Sequence, residues 1–204
     1  MKKQILFIGG GNSFEKKEDF YEYLRNCEID PYSTKKSWKQ QLVLDLGESY
    51  DVIIPVMPSK DEADYIAWKI WFEKYLAFIK DETPILIGYS QGGTFLLKYL
   101  SENGSTNKIS QLHLVAPYVS ADEPAPYPYK MMNFRFDIDG ISKIAPLCNE
   151  IHIWYSEDDD LVSPNNAHIV KDHLPSALMH AFTNRGHFFQ ESFPELEEVI
   201  RTIK

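Results

Sequence analysis

The stretch Pro84–Leu100, PILIGYSQGGTFLLKYL, runs from an apolar segment through Gly88-Tyr89-Ser90-Gln91-Gly92 into a helical pattern. A G-x-S-x-G sequence between a strand and a helix turns the chain sharply and lifts the serine hydroxyl clear of its surroundings. The positions two before and two after Ser90 must be small, because strand and helix nearly collide there. The helix N-terminus aims unpaired N–H groups at negative charge forming beside the serine. Such a serine can attack an electrophilic carbon. Alone it is a poor nucleophile, so it needs a base, and the base needs an orienting acid.

Both partners can be sought along the chain, in the order serine, acid, histidine that accompanies this type of elbow. The segment EIHIWYSEDDDLVSP offers Asp158, Asp159 and Asp160 directly after an apolar run that ends at Tyr155. Asp122, after the preceding apolar run, is the alternative acid. Six histidines compete for the role of base. His113 and His152 fall inside strand patterns, while His168, His173 and His180 fall in or beside a helix and a strand. His187, in TNRGHFFQESFPEL, follows the last strand pattern and sits behind Arg185-Gly186. The negative charge of a tetrahedral intermediate needs two donors. One is the backbone N–H of Gln91, and the other is expected from the loop GGGNSF, with the Gly11 N–H favoured and Asn12 as its rival.

The elements that must hold these groups can be read from periodicity. Strand patterns cover Gln4–Ile8, Asp51–Val56, Ile85–Gly88, Gln111–Val115, Glu150–Tyr155 and Ala177–Phe182. Several are continuously apolar, as strands covered on both faces are. Helical patterns lie between them, which predicts βαβ units and a mainly parallel sheet. Ser59–Glu62 and Ser192–Glu195 read as capping boxes opening helices, with Pro194 in the first turn of the last one. Trp68, Trp71 and Tyr75 are expected to pack in the core. Gly104 is expected to end the helix that follows Ser90. Residues 29–49 and 117–142 fit neither pattern.

At 204 residues the chain is sized for one domain, 1–204, in which 117–142 forms a short cap or lid. The net charge of −9 argues against nucleic acid as a partner. No apolar run approaches the ~20 residues of a bilayer span. The opening MKKQILFIGGGN reads as a first strand and not as a signal segment, so a cytoplasmic location is expected. Cys27 and Cys148 are expected to be reduced and buried. Gly9-Gly10-Gly11 does not continue as a dinucleotide fingerprint, since Phe14 stands where a third glycine belongs. No metal spacing is visible, and no cofactor is expected.

Together, the Gly-rich first loop, IIPVMPSKDEADYIAWKIWFEKYL, LIGYSQGG, YSEDDDLVSP and RGHFFQESFPEL resemble the α/β-hydrolase superfamily. Within it they resemble the branch of the retinoblastoma-binding serine hydrolase and its compact bacterial relatives. That resemblance implies a three-layer α/β fold with about six mostly parallel strands. Its acid pattern, Ser-x-x-Asp-x-x-Val, falls on Ser156, Asp159 and Val162, which selects Asp159. Its Gly-His-Phe segment falls on Gly186-His187-Phe188. The expected protein is a serine hydrolase that cleaves small carboxylic esters or thioesters through an acyl-enzyme on Ser90. The alternatives are an amide or peptide hydrolase, and a non-catalytic interaction module that keeps the fold. Tyr89 departs from the resemblance, since many members carry histidine or another residue before the serine.

Overall fold

All six apolar runs become strands, and the sheet they build is covered on both faces. The computed structural model describes residues 2–32, 34, 36–120 and 130–203. The strands are β1 (Lys3–Ile8), β2 (Tyr50–Ile53), β3 (Ile85–Tyr89), β4 (Ile109–Val115), β5 (Cys148–Ser156) and β6 (Leu178–Phe182). They lie in the order β2-β1-β3-β4-β5-β6, and every pairing is parallel. β3 and β4 are buried at every residue, and β3 is correspondingly free of charged or amide side chains.

Alternation along the strands divides the core in two. Leu6, Ile8, Leu86, Leu112, Leu114 and Ile153 face one side. There they meet α3 (Tyr65–Leu76), α4 (Gln91–Asn103) and α5 (Asn165–His173). Ile5, Phe7, Ile85, Ile87 and Trp154 face the other side. They pack against α2 (Trp38–Leu46) and α6 (Pro194–Ile200). The result is three layers, helix on sheet on helix. α1 (Lys17–Asn26) buries none of its residues and lies outside both cores.

The chain leaves β1 toward β2 on one side and crosses to β3 on the other. A crevice opens at the carboxyl ends of β1 and β3, where the strand order reverses, and ligands bind at such points in open parallel sheets. The GGGNSF loop and Ser90 both lie there.

Several local expectations need correction. Ser59 caps no helix; it is left-handed, with φ 46°, and begins a 3-10 turn over Lys60–Glu62. α3 starts later, where Asp64 accepts from the Ala67 N–H at 2.8 Å. Phe193, not Ser192, precedes α6, and Pro194 is its first residue. β2 stops at Ile53, two residues before Pro55, and Val56 stands exposed. Trp68 is fully buried, but Trp71 is on the outer face of α3. The unassigned 29–49 region contains α2, whose Trp38, Leu42 and Leu46 are buried at helical spacing. Gly104 ends α4 as expected, with φ 71° and its N–H on the Leu100 carbonyl.

Of the segment 117–142, residues 121–129 lie outside the described residues, and Asp122 with them. The flanks are well anchored. Asn166 Oδ1 accepts from the N–H groups of Val119 and Ser120 at 2.8 Å each. Phe134 is fully buried against Trp68, with ring centroids 5.3 Å apart. Among the described residues no helix is long and apolar enough to cross a membrane.

Candidate active site

Ser90 sits between β3 and α4 with φ 52° and ψ −122°. A non-glycine residue held there stores strain of roughly 1–3 kcal/mol, which the surroundings must enforce. The glycines explain how. A Cβ on Gly88 would lie 2.7 Å from the Gly92 carbonyl oxygen, and one on Gly92 would lie 2.2 Å from the Ile8 carbonyl oxygen. β3, α4 and β1 therefore touch at backbone distance, and only glycine fits between them.

The His187 imidazole bridges Ser90 and Asp159. Its Nε2 is 3.0 Å from Ser90 Oγ, and its Nδ1 is 2.8 Å from Asp159 Oδ2. A carboxylate only accepts, so Nδ1 carries the proton and Nε2 is left to accept from the serine hydroxyl. Asp159 is itself fixed, because its Oδ1 accepts from the Leu161 and Val162 N–H groups at 2.9 Å each. Both His187 and Asp159 are buried. In such a setting an ion pair formed during reaction is poorly screened and correspondingly strong.

The loop carrying His187 is tied down at four points. Gly186 donates to Asp158 Oδ1 at 2.9 Å, and the Arg185 N–H donates to Ser156 Oγ at 3.0 Å. Tyr89 Oη donates to the His187 carbonyl at 2.7 Å, and Trp38 Nε1 donates to the Phe188 carbonyl at 2.9 Å. Ser156 and Asp158 are hydrogen-bonded to each other, and these bonds hold the Asp158 carboxyl below its usual range. Gly186 and Phe188, on either side of the histidine, both have positive φ, at 50° and 55°. The double reversal turns the imidazole inward, while Phe188 plugs the core beside Phe193.

The first loop meets the serine from the other side. Gly10 lies so close that a Cβ there would be 3.4 Å from Ser90 Cβ and 3.3 Å from the Tyr89 ring. The Asn12 N–H is already engaged, donating to the Lys60 carbonyl at 2.7 Å. Gln91 is the first residue of α4, directly after Ser90. These groups line a cavity of about 680 Å³ that also takes in Gly11, Lys39, Tyr118 and Phe189. Cys27 lines it as well and is only half-buried, contrary to expectation; Cys148 is buried, and both thiols are free.

Thus Ser90, His187 and Asp159 come together, with Gln91 and Gly11 beside them. Asp160 lines the same cavity but is exposed, and Asp158 binds the histidine loop instead of the imidazole. His113, His152 and His180 stack on one another on neighbouring strands instead. The sequence reading missed Tyr89, Trp38 and Ser156 as supports. Their only local signal is a polar atom on a side chain that the fold buries.

No protein-family model matches the chain. Over 126 residues it is 30% identical to the serine hydrolase RBBP9 of Rattus norvegicus, covering 60% of this chain and 62% of the rat protein. The match thus spans less than two thirds of that relative's length. Among solved structures, the ydeN gene product of B. subtilis superposes with a TM-score of 0.71 at 17% identity, covering 98% of each chain. The serine hydrolase CCSP0084 of Cycloclasticus zankles superposes with a TM-score of 0.67 at 13% identity, over 98% of this chain and 89% of the other. Strand order and near-complete superposition together make this chain a small α/β-hydrolase in fold, with RBBP9 among its relatives in sequence.

Proposed function

We propose that this chain is a serine hydrolase that cleaves small carboxylic esters or thioesters through an acyl-enzyme on Ser90. The observation that carries the reading is the single imidazole spanning Ser90 and Asp159 at 3.0 and 2.8 Å. Similarity to a protein named a serine hydrolase supports it.

In this mechanism the substrate carbonyl enters the cavity above Ser90. Ser90 Oγ attacks the carbonyl carbon as its proton passes to His187 Nε2. Asp159 stabilises the imidazolium that forms and keeps it oriented. The Gln91 and Gly11 N–H groups receive the oxyanion. His187 then protonates the leaving alcohol or thiol, and the acyl group remains on Ser90. A water molecule, deprotonated by His187, releases the acid and restores the serine. No step requires a metal or an organic cofactor.

The test is turnover of short 4-nitrophenyl esters and acyl thioesters by the wild type and by Ser90→Ala. The wild type is expected to hydrolyse at least one of them. Ser90→Ala is expected to fall by about 10³-fold or more. Equal rates for the two proteins would overturn the reading.

A further inference from the structure

One cation lines the Ser90 cavity without an acceptor. Lys39, in the first turn of α2, lines it with its Nζ 4.2 Å from the centroid of the Tyr89 ring. Among the described residues Lys39 has neither a hydrogen-bond nor an ion-pair partner, and the chain as a whole is strongly acidic. A half-buried ammonium without an acceptor is only partly hydrated, so one at the edge of a cavity calls for a ligand with acceptors.

The other charges nearby do not answer Lys39. Asp61 is bound to Lys60 at 2.8 and 3.0 Å. Asp160 and Glu28 line the cavity but are solvent-exposed, as is Lys130. Burial and the neighbouring Lys60 together hold the Lys39 ammonium down at about 8. Its charge is therefore present at neutral pH, at a cost that an anion would offset.

We propose that the substrate's acyl chain ends in a carboxylate, and that Lys39 binds it while Ser90 attacks the other end. A monoanion matches one half-buried cation. Tyr89 connects the two functions, since its ring lies under Lys39 and its residue adjoins Ser90. This inference rests on the hydrolase reading of Ser90.

The experiment compares mono-4-nitrophenyl esters of succinic, glutaric and adipic acids with neutral 4-nitrophenyl esters of equal chain length at pH 7. At one length the wild type is expected to favour the anionic ester in kcat/KM by about 10- to 100-fold. Lys39→Met should reduce that ratio at least tenfold, and Lys39→Arg should retain most of it. Lys36→Met, which removes the same charge outside the cavity, should leave the ratio within twofold. The preference should fade as pH rises through about 8, because kcat/KM follows the free enzyme's groups and Lys39 there loses its charge. A ratio near one at all three lengths, or one that Lys39→Met leaves intact, overturns the proposal. Calorimetry of the same compounds with Ser90→Ala reads recognition without turnover. Tighter binding of an anionic ester supports carboxylate recognition by Lys39 separately from turnover, and equal binding of both kinds overturns the proposal. Turnover without preference leaves the hydrolase reading standing and removes this one.

Discussion

The Tyr89 hydroxyl donates to the main-chain carbonyl of His187 at 2.7 Å, across 98 residues of sequence. The residue before Ser90 thereby holds the residue proposed as its base. The Tyr89 ring also lies 5.2 Å from the imidazole, and burial raises its hydroxyl pKa well above the usual tyrosine range. It is a neutral, permanent donor at any working pH.

Tyr89→Phe removes that donor and leaves a buried carbonyl unpaired. We expect kcat to fall about tenfold with KM nearly constant, since ~1.4 kcal/mol of lost positioning is tenfold in rate. Steady-state kinetics checks it. The melting temperature should drop by about 2–4 °C, the change that 1 kcal/mol produces in a domain of this size.

The three adjacent aspartates should separate in kinetics. Asp159→Asn takes away the carboxylate facing His187 Nδ1 and should lower kcat by about 10³- to 10⁴-fold. Asp158→Asn keeps an oxygen for the Gly186 N–H and should cost less than about tenfold. Asp160→Asn, at an exposed carboxylate, should stay within about twofold of wild type. A crippled Asp158→Asn beside an active Asp159→Asn would reassign the acid.

Backbone contact at the elbow predicts a stability effect. Gly92→Ala would place a Cβ 2.2 Å from the Ile8 carbonyl oxygen and 2.6 Å from that of Gly9. Both are main-chain atoms of β1 and its exit, so the sheet must shift. A loss of about 3 kcal/mol or more is expected, read as a melting temperature lower by roughly 6–12 °C.

His113, His152 and His180 form a stacked ladder on β4, β5 and β6, with rings 4.8 and 5.3 Å apart. Burial lowers the pKa of each, His180 to about 4, although Glu150 pulls His152 back upward. The folded state therefore binds fewer protons than the unfolded chain, so these groups make stability rise with pH. The protein should lose stability as pH falls from about 6.5 toward 4, and His180→Gln should flatten part of that slope. Thermal melts across this range read it directly.

Much of this architecture was legible in the sequence because it depends on short-range patterns. Six strands and the elbow announce themselves through apolar runs and glycines. Asp159 and His187 follow from chain order and resemblance. What stayed hidden depends on distant packing. α2 was missed because its buried positions are only Trp38, Leu42 and Leu46, among polar neighbours. The Ser59 box failed because Ser59 is left-handed and begins a 3-10 turn over Lys60–Glu62 instead of a helix. The supports of His187, from Tyr89, Trp38, Ser156 and Asp158, come from three separate stretches that only the folded sheet brings together.

The most direct test of the central claim is mass spectrometry of the folded protein after treatment with a fluorophosphonate. A single adduct on Ser90 is expected, absent from Ser90→Ala and strongly slowed in His187→Ala. An unmodified wild type, or an adduct that persists in Ser90→Ala, would contradict the assignment of Ser90 as the nucleophile.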